Sequence, residues 1–187
     1  MSAPMDNEAA GRPEARRASG SSGSDQVCPP PRAVLQSEGG MSRQYPAQPI
    51  VGVGGIVLDA DRVLLVKRGR EPLKGIWSIP GGKLELGETL REGVRRELHE
   101  EVGLEVRVLD MVEVFERITL DAAGRTAYHF VLIDFLCESI AGEARAGDDV
   151  DEVAWVERSR ISEYETTEGA PAVIEKAFAI RDACASR

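Results

Sequence analysis

The chain has 187 residues, enough for one domain with a substantial core and too few for two large ones. Its composition is 42% hydrophobic and 29% charged, and no stretch approaches the roughly 20 consecutive apolar residues that span a bilayer. A net charge of −9 repels nucleic-acid backbones and anionic membranes, so neither nucleic acid nor a membrane is an expected partner. The N-terminus lacks the apolar core of a secretory signal, which makes the cytoplasm the expected compartment. The cysteines, Cys28, Cys137 and Cys184, are scattered without metal or disulfide spacing and read as incidental thiols. With His99 and His129 as the only histidines, any metal should be hard and oxygen-bound.

Residues 1–45 form a first region, rich in Gly, Ser and Pro and without apolar periodicity, and are expected to be a disordered tail. Met41 stands near its end, so one hypothesis places the translation start there. A single domain is expected over 46–187. Ile50 to Leu58 is an apolar, β-branched run whose glycines suggest close backbone approach. A turn at Asp59-Ala60-Asp61 leads into a second strand, Arg62 to Lys67, making a hairpin. A loop from Pro72 to Gly75 precedes a short strand, Ile76 to Ile79, which Pro80-Gly81-Gly82 should stop.

Thr89 and Glu92 have capping-box spacing, and Leu90, Val94, Leu98 and Val102 recur at helical intervals before Gly103, which reads as a left-handed cap. Strands follow at Glu105 to Phe115 and Ala127 to Cys137, with a turn at Asp121 to Gly124. An acidic loop runs from Gly142 to Asp151, then a strand from Glu152 to Val156, and a closing helix from Ala170 to Cys184. Strands interleaved with two helices predict an α/β (α+β) fold, a mixed β-sheet sandwiched between helices.

The central helix carries the chemistry. Glu97, Glu100 and Glu101 stand at i, i+3 and i+4 and share one face. Like charges so placed cost roughly a few tenths of a kcal/mol per pair. Clustered carboxylates are, however, what Mg²⁺ or Mn²⁺ needs, because hard cations bind oxygen and leave positions for phosphate and water. The competing reading is a solvated lattice with Arg91, Arg95 and Arg96.

The surrounding pattern decides between them. Gly82, five residues, Glu88, seven residues, then Arg96-Glu97-Leu98-His99-Glu100-Glu101-Val102-Gly103-Leu104 resembles the signature box of the Nudix hydrolases at every defining position. The likeness extends over about Ile50 to Phe178, and the run ahead of the box, Pro72-Leu73-Lys74-Gly75-Ile76-Trp77, resembles compact ADP-ribose pyrophosphatase-like members. The resemblance implies that Glu97, Glu100 and Glu101 are the catalytic carboxylates, with Glu97 and Glu101 the principal metal ligands, Glu100 an additional or water-mediated one, and the Gly81 carbonyl also ligating. It implies a structural ion pair of Glu88 with Arg96, and tight turns at Gly82 and Gly103.

The implied reaction is Mg²⁺- or Mn²⁺-dependent hydrolysis of a diphosphate linkage in a small nucleotide, ADP-ribose or a similar nucleotide sugar. The alternatives are a (deoxy)nucleoside triphosphate pyrophosphohydrolase and, from another class, a non-catalytic nucleotide-sugar sensor. The family also permits a homodimer. The general base is either a box glutamate or an acid of the later loop, Asp148, Asp149 or Glu152. Arg68, Arg70, Phe115 and Arg117 are weaker candidates for substrate contact. Trp77 and His129 read as packing residues.

Overall fold

The computed structural model describes residues 43–71 and 73–185. The expectations for residues 1–42, including the Met41 start and Cys28, and for Pro72 lie outside the described residues. Residues 43–45, assigned to the tail, are placed: the Tyr45 amide donates to the Ala127 carbonyl at 2.8 Å, and the Arg125 guanidinium stacks over the Tyr45 ring.

The strands are β1 (Ile50–Asp59), β2 (Arg62–Arg68), β3 (Trp77–Ser78), β4 (Gly81–Lys83), β5 (Glu105–Leu120), β6 (Thr126–Ala141) and β7 (Val150–Glu157). Two α-helices join them, α1 (Leu90–Val102) and α2 (Ala170–Ala185), with a short 3₁₀ stretch at Arg158–Glu163. The sheet runs β3-β2-β1-β6-β5, with β4 on β1 and β7 on β2. It is mixed: β1 and β6 are parallel from Ile50↔Phe130 to Val57↔Cys137, whereas β5–β6, β1–β2, β1–β4 and β2–β7 are antiparallel.

Alternation along β1 feeds two cores. Val53 and Val57 pack with Val94, Leu98 and Val102 of α1, and Ile56 on the other face packs with Val173, Ile174, Ala177 and Phe178 of α2. Each helix therefore covers one face of the sheet, the layering expected from the interleaved elements. Gly55 is necessary on the α1 side, because a Cβ there would lie 2.7 Å from a methyl of Leu98.

Several boundaries differ from the sequence reading, among them the last strand, which begins at Val150 within the expected acidic loop. Gly81 and Gly82 do not merely stop a strand: with Lys83 they form β4 against Gly52 to Gly54. The expected strand at Ile76 to Ile79 shrinks to Trp77–Ser78. The hairpin of β5 and β6 extends to Leu120 and Ala141, since a long two-stranded ribbon satisfies its own backbone even where its outer face is exposed. Cys137 is buried and Cys184 exposed, both free thiols. No helix among the described residues is long and apolar enough to cross a membrane.

Candidate functional site

The helix that bears the carboxylates is fixed at both ends. The Thr89 hydroxyl accepts from the Glu92 amide at 3.3 Å, and the Thr89 amide donates to the Glu92 carboxylate at 2.7 Å. Gly103 closes the helix with φ 70°, its amide donating to the His99 carbonyl at 3.0 Å. Seating Val94, Leu98 and Val102 in the core leaves Glu97 and Glu101, one turn apart, turned toward β4.

Glu101 accepts a hydrogen bond of 2.8 Å from the Gly81 amide. Glu97 lies against Gly82, where a Cβ would sit 2.5 Å from its carboxylate. Gly82 is thus required by close approach rather than by a turn. Burial raises the pKa of both acids, Glu101 to about 7, with the neighbouring Glu97 charge adding to the rise and the Gly81 N–H opposing it.

Arg96 is the hub of the box. Its Nε and Nη2 form a fork on Glu88 at 3.1 and 2.7 Å. Nη2 also donates to the Lys83 carbonyl at 3.1 Å, and Nη1 donates to Glu97 at 2.8 Å and Glu100 at 3.2 Å. The ion pair with Glu88 holds the guanidinium well above its ordinary range and lowers the Glu88 pKa. Besides pairing with Glu88, Arg96 therefore aims Glu97. Glu100 is drawn outward, 58% exposed, so two of the three glutamates are desolvated. Among the described residues no three acidic, His or Cys side chains are close enough to form a ready cage for a metal.

A cleft of about 500 Å³ opens over this pair, lined also by Glu100, Gly81, Gly82, Arg43, Arg68, Arg70, Glu71, Asp148 and Asp149. Burial lowers the Arg68 pKa, opposed by the charge of Glu101. Arg70 pairs with Asp149. Glu152, grouped with the loop acids in the sequence, stands apart from this cleft: it lies on β7 and its carboxylate takes Lys67 at 2.7 Å. The strand register puts it beside Lys67 on β2.

A second cleft of about 640 Å³ adjoins the first and shares Arg43, Arg68, Ile79, Gly81 and Gly82 with it. It lies on the α2 side of the sheet, where Gly52 and Gly54 withhold side chains. Phe115, Phe130, Leu132 and Ile79 supply apolar walls. Arg117 lines it and donates to the Glu168 carbonyl at 2.9 Å. Trp77 is instead packed edge-on against Tyr164, ring centroids 5.2 Å apart. The His129 side chain stays in β6 with its Nε2 buried and unpartnered.

Sequence reasoning missed Arg43, Glu71 and Asp134. Arg43 fell within the apparent tail and Glu71 had no pattern around it. Asp134 carried a readable signal, a single acid inside the run Phe130-Val131-Leu132-Ile133-Asp134-Phe135-Leu136.

Comparison with known proteins places this architecture. An ADP-ribose pyrophosphatase of Methanocaldococcus jannaschii is 37% identical over 113 residues, which cover 60% of this chain and 64% of that protein. A human 8-oxo-dGDP phosphatase is 30% identical over 107 residues, 55% of this chain and 30% of its own length. The chain thus spans under two thirds of either relative. The crystal structure of a MutT Nudix hydrolase from Burkholderia pseudomallei superposes with a TM-score of 0.61 at 30% identity, covering 69% of this chain and 98% of that one. The model of the NUDIX domain matches residues 48–177, a span that takes in the whole of α1 and, Arg43 apart, the lining of both clefts, and the chain belongs to the Nudix hydrolase family.

Proposed function

We propose that the chain hydrolyses a diphosphate linkage in a nucleoside diphosphate derivative, ADP-ribose or a similar nucleotide sugar, with Mg²⁺ or Mn²⁺ as cofactor. The observation that carries this reading is the junction of two unlike clefts. One is lined by paired carboxylates and arginines, the other by apolar side chains, and the Gly81-Gly82 backbone borders both. A nucleoside fits the apolar cleft, and the diphosphate then lies over Glu97 and Glu101. The kinship to an ADP-ribose pyrophosphatase supports the substrate class.

The donor set fits a hard divalent cation. Two adjacent carboxylates lie in a partly dry cleft where burial disfavours their charges, and Mg²⁺ needs only one or two protein carboxylates because phosphate and water complete its shell. Glu97, Glu101 and the Gly81 carbonyl would hold it, with Glu100 reached directly or through water. When bound, the ion neutralises phosphate charge and acidifies a water.

The rest is done by the chain. Arg96 keeps Glu97 turned into the cleft and ties α1 to the β4 edge through Glu88 and Lys83. Arg43 and Arg68 attract the diphosphate. A cleft carboxylate, Glu100 or Asp148, takes the proton of the attacking water. Hydrolysis of ADP-ribose would release AMP and ribose 5-phosphate. A second reading, pyrophosphohydrolysis of (deoxy)nucleoside triphosphates, draws support from a Mycobacterium tuberculosis relative named a putative 8-oxo-dGTP diphosphatase, 36% identical over 121 residues.

The test is product analysis with ADP-ribose and with nucleoside triphosphates, with and without Mg²⁺ or Mn²⁺. Metal-dependent release of AMP from ADP-ribose is expected. Glu97→Gln and Glu101→Gln should each lower kcat by about 100-fold or more, the loss of roughly 3 kcal/mol of charge stabilisation. Near-normal turnover in both variants would refute the assignment.

A further inference from the structure

Strand β6 presents Phe130, Leu132, Asp134 and Leu136 to the α2 side of the sheet, alternating with Ile133, Phe135 and Cys137 toward α1. Every neighbour in that row is apolar, and a strand with both faces covered should carry an apolar residue at 134 as well. Asp134 is instead the one charged residue buried among those described, 5% exposed. Among the described residues no hydrogen bond or ion pair reaches its carboxylate, and burial alone lifts its pKa to about 7. A solitary buried carboxylate costs folding stability, so packing gives no reason for it to be there.

The carboxylate lines the second cleft. It lies over Gly54, where any Cβ would run into Asp134 Oδ1 and come within 2.9 Å of Ile79. The missing side chain on β1 therefore makes the room that the acid occupies. Cationic groups that would draw phosphate are at the shared end and the rim of the cleft, at Arg43, Arg68 and Arg117. An acid repels phosphate, and the ligand group that belongs at Asp134 is a donor.

We propose that Asp134 determines base specificity, its carboxyl receiving the N–H donors on the edge of a nucleobase whose faces rest on Ile79, Phe115, Phe130 and Leu132; this rests on reading the second cleft as the nucleoside site. One carboxyl oxygen accepts from an exocyclic amino group; the other accepts from a ring N–H, as guanine offers, or, with the carboxyl protonated, donates to a bare ring nitrogen, as adenine offers. A ribose hydroxyl is the other donor a nucleoside could offer, and the test separates the two.

The experiment is an NMR titration of metal-free protein with adenosine, guanosine and purine riboside, which lacks the exocyclic amine. Wild type, Asp134→Asn and Asp134→Leu are compared, each checked for folding by its melting temperature. In the wild type at least one amino-bearing nucleoside should bind about 10- to 100-fold more tightly than purine riboside, the range of a hydrogen bond to a charged or buried group. In Asp134→Leu that gap should close to within about threefold, and Asp134→Asn should change the ranking of the two amino-bearing bases.

An equal loss for all three nucleosides would assign Asp134 to the ribose and overturn the proposal, as would an unchanged gap or no binding to the wild type. Hydrolysis assayed separately with Mg²⁺ keeps the two readings apart. A wild type that hydrolyses ADP-ribose without base discrimination sinks only this inference. Base discrimination without hydrolysis sinks only the proposed reaction.

Discussion

Replacing Asp134 by Asn should make the protein increasingly more stable than wild type as the pH rises from about 4 through about 7. Asp134 titrates near 3.8 when unfolded and at about 7 when folded, because burial disfavours its charged form. The sign follows from proton binding. Between these values the folded state holds a proton that the unfolded state has lost, so stability falls as pH rises. The favourable contribution is complete below about pH 4 and is gone once the pH has passed through about 7.

Each unit is about 1.36 kcal/mol, so the step from pH 5 to pH 8.5 crosses about two units and removes about 3 kcal/mol. For a domain of this size that is roughly 6–12 °C of melting temperature. The asparagine has no such titration. Glu101 is also raised to about 7, so the wild-type profile alone does not isolate Asp134, but the difference between variant and wild type cancels Glu101. Differential scanning fluorimetry from pH 5 to 8.5 should show the Asp134→Asn advantage growing by that amount. A difference that stays flat across the range would refute the claim that this carboxyl is buried without a partner.

Three further substitutions probe the frame of the site. Arg96→Ala should cost roughly 2–4 kcal/mol, as half-buried Glu88 loses its partner, and should lower kcat as well, because Glu97 is released; a kcat unchanged in the folded variant would show that Arg96 serves the fold alone. Gly82→Ala should lower kcat with a melting temperature within a few degrees of wild type, since its Cβ displaces the Glu97 carboxylate and no core side chain; full activity would contradict the close approach. Gly55→Ala should destabilise by about 1–3 kcal/mol through overpacking on Leu98 and Val94, which urea unfolding measures directly.

The box was legible because its spacing is local. A helix fixes which residues share a face, so Glu97 and Glu101 could be placed from sequence, and Thr89, Glu92 and Gly103 mark the helix ends by short-range chemistry. The outward turn of Glu100 was not legible, because it depends on where the Arg96 guanidinium sits after pairing with Glu88. Glu152 shows the converse: it is near Asp149 in the chain, yet strand register commits it to Lys67. Gly81-Gly82 read as a strand stop because glycine weakens strands. Its pairing with Gly52 to Gly54 is long-range, and only tertiary contact makes β4. Asp134 is the instructive omission, since an acid inside an apolar strand is itself a signal that needs no partner to be noticed.

Strand β1 sets the relation between the two clefts. Its odd positions, Val53, Gly55 and Val57, seat α1, and the missing Cβ at Gly55 lets Leu98 come close, which fixes the height of Glu97 and Glu101 above the sheet. Its even positions, Gly52 and Gly54, hollow the opposite face and leave space for Asp134 and Leu132. One rigid strand therefore measures the span from the acidic pair to the floor of the apolar cleft. A ligand that reached both ends would rest on this strand as well as on the loop residues that line the clefts, and a strand at the centre is the part that best keeps groups in register. The same reasoning explains why three glycines can stand in one central strand despite the entropy each costs. Two clear the second cleft, one draws α1 inward, and an alanine at any of them would disturb one cleft through the strand it shares with the other.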